Sequence, residues 1–179
     1  MSDQPPPIER LYDLNRLSEA GYEAVIELAP DELAKLAQWA EVVEVKKFEG
    51  RVSLTRLSAT RFNYSAELRA EIVQSCTVTL EPVSAKISID FTRALHLVPH
   101  VKKILDFSGE LSPAAGDDDV PEEIDNTRYD LAAPLLEEFS LAIDPYPRAP
   151  GVAFEPPADA EDRPENPFAV LGKLKEKRQ

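Results

Sequence analysis

The 179-residue chain carries 33 Asp and Glu against 20 Lys and Arg, a formal net charge of −13, so a phosphate backbone repels it at long range and basic partners attract it. Its length suits one domain of about 100–200 residues with appendages, and its 43% of hydrophobic residues suffices for a packed core. A single cysteine excludes an internal disulfide, no apolar run approaches the ~20 residues of a membrane span, and Met1–Pro7 lacks the basic and apolar regions of a signal peptide; together these point to a reducing, cytoplasmic setting away from membranes.

Taken in chain order, residues 1–7 read as disordered or polyproline-like because of Pro5, Pro6 and Pro7. A short strand is expected near Ile8–Tyr12. Tyr22, Ala24, Ile26 and Leu28 alternate with more polar neighbours, the mark of a half-buried strand. Pro30 then opens a helix, because its missing N–H would be unpaired in the first turn anyway. Asp31 and Glu32 place negative charge at the positive end of the helix dipole. Leu33, Leu36, Ala37 and Ala40 form one apolar stripe, with Trp39 off it as a rim residue.

Val42–Leu57 reads as one or two strands. Val43 and Val45 sit at odd positions, whereas Phe48, Val52 and Leu54 sit at even ones, so a bulge is expected beside Gly50. From Phe62 to Ile72 the alternation is strict, with Arg61, Asn63, Ser65, Glu67, Arg69 and Glu71 on the wet side. Such a strand belongs to an antiparallel sheet with one solvated face. Ile87, Ile89, Phe91, Leu95 and Leu97 repeat the pattern, interrupted by Arg93. Pro82 favours a turn over Glu81–Val83. Val101–Phe107 is an expected last strand or edge, and the acidic residues 108–128 an expected loop. A helix is expected from about Asp130 or Pro134 to Ser140, and the proline-rich 144–151 must be extended.

The fold predicted is therefore α+β: an antiparallel sheet of about five to seven strands, its curl left open between a half-barrel and a sandwich, with two packed helices. Residues 1–151 form the domain. Residues 152–179 form an acidic, proline-containing linker and a C-terminal peptide, Asn166–Leu171, expected to be dispensable for folding but able to dock Phe168 and Leu171 on a protein partner.

Charge is unevenly spread. Residues 42–105 hold ten basic and six acidic side chains, whereas residues 106–179 hold seven basic and eighteen acidic ones. Arg61 and Arg69 share the wet face of one strand. With Arg51 and Arg93 alongside, they would form a stripe facing RNA. Glu67 and Glu71 share that face, and a salt-bridged surface is the slightly favoured reading. Asp117, Asp118, Asp119, Glu122 and Glu123 would instead face a basic protein. The Asp run is no calcium loop, because Glu122 and Arg128 stand where an EF-hand needs glycine and glutamate. Cys76, His96 and His100 fall short of the four closely spaced ligands of a structural zinc site, and no metal or other cofactor is expected. Phosphate-binding and nucleophile-elbow motifs are absent, which argues against an enzyme.

Ser75-Cys76-Thr77-Val78-Thr79-Leu80-Glu81-Pro82-Val83 joins the two most regular strand patterns. Cys-x-x-x-Leu-Glu-Pro-Val in that setting resembles the YceD family, the large ribosomal RNA subunit accumulation proteins. The acidic run Pro121–Asp125 leading to Tyr129–Leu131 and Leu141–Pro145, and the tail Asn166–Leu171, resemble it too. Many members carry Cys-x-x-Cys here, and Thr79 takes the second cysteine position, so Cys76 reads as a small apolar residue at a strand end. The resemblance implies ribosome biogenesis and supplies no catalytic residue. Three functions compete: an adaptor for a basic ribosomal protein or assembly factor, a direct ribosomal RNA binder using residues 42–105, and, least favoured, an RNA-processing enzyme. Oligomeric state is left open.

Overall fold

The computed structural model describes residues 6–98 and 121–153. Its frame is one five-stranded sheet built from β2 (Tyr22–Glu27), β3 (Glu44–Arg56), β4 (Arg61–Ser75), β5 (Pro82–Leu97) and β6 (Glu122–Ile124), hydrogen-bonded in that order. The first four strands are antiparallel, and β6 runs parallel to β5. The sheet is open, not a closed barrel. A second, two-stranded sheet pairs β1 (Leu11–Asp13) with β7 (Arg128–Asp130). The two α-helices among the described residues are α1 (Pro30–Trp39) and α2 (Ala133–Ala142). The fold is α+β. No helix among the described residues is long and apolar enough to cross a membrane.

The alternation in β4 sets the two faces. Phe62, Tyr64, Ala66, Leu68, Ala70 and Ile72 are all buried, and their opposite numbers on β3 are Arg56, Leu54, Val52, Gly50, Phe48 and Val45. This face is covered by α2, whose Leu135, Leu136 and Phe139 join the same core. The ring of Phe139 meets that of Phe48 edge-on at 5.5 Å. Each such side chain taken from water contributes about 1.5–3 kcal/mol before chain entropy is counted. Buried Tyr64 donates a hydrogen bond to the Leu131 carbonyl at 2.9 Å, satisfying its hydroxyl and fixing the entry to α2. Helix α1 buries Leu36 and Ala37, with Leu33, Trp39 and Ala40 at the rim. Arg10 clasps Glu32 through both carboxylate oxygens at 2.7 and 2.9 Å, holding that carboxyl below its usual range and tying the N-terminal segment to α1.

Four expectations are corrected. The first strand is Leu11–Asp13 rather than Ile8–Tyr12, because Ile8 is spent in the core and the chain pairs only where β7 meets it. The bulge in β3 lies between Val45 and Lys47, not at Phe48–Gly50; one extra residue there turns both Val45 and Phe48 inward. Gly50 serves another purpose, since a Cβ on it would overlap the Leu135 methyl groups, and its bareness lets α2 lie against the sheet. The stretch 108–128 read as loop contains β6 and the first residue of β7. The turn before β5 is Cys76–Glu81, and Pro82 is the first residue of the strand, where its missing donor costs least. The expected strand Val101–Phe107 lies outside the described residues.

Candidate functional site

The solvated face of the sheet holds the candidate RNA-facing arginines. Register carries its side chains across the strands in rows: Val25, Arg51, Glu67 and Asp90 form one row, and Glu27, Glu49, Arg69 and Ser88 the next. Glu49 accepts Lys47 at 2.9 Å and Arg51 at 3.2 Å. The Lys47 ammonium, with Arg51 beside it, keeps that carboxyl below the ordinary range, and Glu49 in turn raises Lys47. Arg69 is paired with Glu67, and Lys86 with Glu71 at 3.3 Å. Arg61 makes no ion pair among the described residues. Exposed pairs of this kind add about 0–1 kcal/mol each, so their main effect is to cancel positive potential. Along the first of these rows and its other neighbour, Glu23, Ser53, Ser65 and Thr92, the face sinks into a trough of about 850 Å3, lined by Val25, Arg51, Glu67 and Asp90 among others.

Arg93 is on the other face. Even-numbered residues of β5 point to solvent and odd-numbered ones inward, and Arg93 sits opposite buried Tyr64. Its guanidinium spans Glu137 at 2.6 Å and Glu138 at 2.9 Å on α2, reaches Glu122 of β6 at 3.7 Å, and lies over the Phe91 ring at 5.6 Å. Burial opposes the charge, but the hydrogen bonds that the guanidinium donates to Glu137 and Glu138 outweigh it and raise the pKa further. Arg93 therefore joins β5, β6 and α2 and does not continue a stripe with Arg51, Arg61 and Arg69. The signal for this was in the sequence: an arginine at an apolar-side position of a strict alternation, with a Glu-Glu pair on a following helix.

The Cys76 turn closes the far end of β4. The thiol is fully buried and accepts from the Thr79 amide at 3.5 Å and the Ala149 amide at 3.4 Å. Hydrogen bonding from the Thr79 side chain, with these backbone donors, pulls the thiol down to about 6. Thr79 thus donates to the sulfur from the position where a second cysteine would stand. The Thr77 amide donates to the Pro147 carbonyl at 2.9 Å, and Gln74 to the Asp144 carbonyl at 2.8 Å. The extended, proline-rich segment is thereby fastened along the strand end. Leu80 takes a left-handed φ of 62° and is 77% exposed. No group of three or more potential metal ligands occurs among the described residues.

Of the residues expected to face a protein partner, Glu122 and Glu123 are exposed on β6 at the sheet edge. Asp117, Asp118, Asp119, Phe168 and Leu171 lie outside the described residues. Around Arg93, Glu122, Glu137 and Glu138 outnumber the single cation, so this end of the molecule is acidic.

The model of the family described as large ribosomal RNA subunit accumulation protein YceD matches residues 64–175, more than half of the chain. The chain belongs to the YceD family. No curated protein and no solved structure matches it. The YceD segment takes in most of β4, the Cys76 turn, β5, Arg93 with its carboxylates, and α2. It includes Arg69 and Arg93 but not Arg51 or Arg61, so the proposed RNA stripe straddles its boundary, whereas all of the acidic and apolar partner-facing candidates lie within it. The YceD description ties the protein to accumulation of large-subunit ribosomal RNA, and hence to ribosome biogenesis.

Proposed function

We propose that this YceD protein acts in the cytoplasm as a non-catalytic adaptor that holds a basic ribosomal protein or assembly factor during large-subunit biogenesis. The observation that carries this reading is the fate of the arginines. Arg51 and Arg69 are spent on neighbouring carboxylates, and Arg93 is sequestered against α2, while eighteen acidic side chains in residues 106–179 outnumber seven basic ones. Asp117, Asp118, Asp119, Glu122 and Glu123 attract the basic partner, and Phe168 and Leu171 supply an apolar anchor, since charge steers and apolar burial holds. Reversing those five carboxylates to lysine weakens capture of a basic large-subunit protein at least about tenfold, ~1.4 kcal/mol; the check is isothermal titration with each purified partner. Unchanged affinity in that variant overturns the assignment. Direct RNA binding remains the competing reading, and Arg61, unpaired among the described residues, is its best support.

A further inference from the structure

Strand β2 hydrogen-bonds to β3 along one side only, and no described segment pairs with its other side. A free edge is a template for another strand unless something blocks it. Here the outward side chains are Glu23, Val25 and Glu27, all exposed, with Val25 60% exposed. Neither glutamate makes an ion pair among the described residues. Their neighbours across β3 are Ser53 and Glu49, and Glu49 is already taken by Lys47 and Arg51. Beside this edge lies the trough, with Asp90 on its far wall, also unpaired among the described residues.

We propose that the open edge of β2 accepts an extended basic segment of a partner protein as an added strand, with lysine or arginine seated on Glu23 and Glu27 and a small or apolar residue over Val25. The spacing dictates the pattern. Residues 23 and 27 are about 13 Å apart along a strand, which an added strand matches with side chains at i and i+4, while its i+2 side chain meets Val25. Directly opposed side chains approach to about 4.5–5.5 Å, within reach of a charge pair. A second copy of β2 is the wrong occupant: paired in either direction about Val25 it sets glutamate on glutamate, which destabilises a sheet. Long basic side chains have room in the trough, where Asp90 adds to the attraction, Glu67 being already paired with Arg69. The inference rests on the reading of the partner as a basic protein and adds where, and in what conformation, that partner is held.

The probe is the blocked peptide Thr-Lys-Thr-Val-Thr-Lys-Thr, titrated into the full chain with amide hydrogen exchange followed by NMR. The expected result is slower exchange in residues 22–27 and at least about tenfold weaker binding to E23K/E27K. E23Q/E27Q falls between, and the thermal midpoints of both variants stay near that of the parent because the side chains are exposed. A peptide with both lysines replaced by glutamate does not bind. Unchanged affinity in E23K/E27K, or binding without protection of residues 22–27, overturns the proposal. If a basic large-subunit protein loses affinity on reversal of Asp117–Glu123 but not in E23K/E27K, the edge assignment fails and the adaptor reading stands. If no basic protein binds the parent chain, the adaptor reading fails, and the peptide result alone decides the edge.

Discussion

Leu68→Ala lowers the unfolding free energy by about 2–5 kcal/mol, the usual range for emptying a buried leucine site. Leu68 is fully buried at the middle of β4, between Gly50 of β3 and Ile89 of β5. Gly50 has no side chain to swing into the cavity, and Leu135 already fills the space above it, so the site collapses poorly and the loss falls in the upper part of that range. Ile89, its direct partner, is only partly buried, and Ile89→Ala costs less. Urea unfolding monitored by circular dichroism checks both, at constant slope. Equal midpoints for the two variants would show that the faces of β4 and β5 are wrongly assigned.

Arg93→Ala is the second large effect, about 1–3 kcal/mol. The upper figure for breaking a buried pair is about 3–5 kcal/mol, but Arg93 is 22% exposed on its side chain, and Glu122 and Glu137, at 43% and 60%, regain water when it is lost. What remains is the loss of two short charge-assisted hydrogen bonds and the stacking over Phe91, together with mutual repulsion among three carboxylates. Arg93→Lys recovers only part, because an ammonium cannot span Glu137 and Glu138 with one planar fork. The measurement is thermal unfolding of the three proteins at low and high salt; the deficit of the alanine variant shrinks as salt screens the carboxylates. A variant as stable as the parent would mean that Arg93 is free to serve a surface role.

The sequence made the central strands legible because β4 and β5 obey one rule, apolar in and polar out, over their whole lengths. The same rule made Leu68 and Phe62 recognisable as core, and proline with an acidic first turn located α1. The β3 bulge was misplaced because glycine is the usual marker of an irregularity, whereas here the extra residue is Lys46 and the glycine answers to Leu135 from a distant helix. Strands β6 and β7 are three residues each; so short a segment carries no period, and only its partners define it. Arg93 broke its alternation visibly, yet the reason lay on α2, more than forty residues away. The pairing of Arg51 and Arg69 with Glu49 and Glu67 was legible from the even spacing on one strand face, and that is the part of the candidate site the sequence describes best. The burial of Cys76 against Ala149 depends on a long-range return of the chain that no local pattern announces.

The adaptor reading turns on which partner the protein prefers. The most direct measurement compares affinity, at near-physiological salt where the Debye length is about 8 Å, for large-subunit ribosomal RNA fragments and for individual basic large-subunit proteins. Tighter binding of a basic protein, lost when Asp117, Asp118, Asp119, Glu122 and Glu123 are reversed and retained in Arg61→Glu/Arg69→Glu, is the predicted result. Tight RNA binding that survives the acidic reversal and fails in Arg61→Glu/Arg69→Glu would contradict it and make the polar sheet face a direct RNA-binding surface.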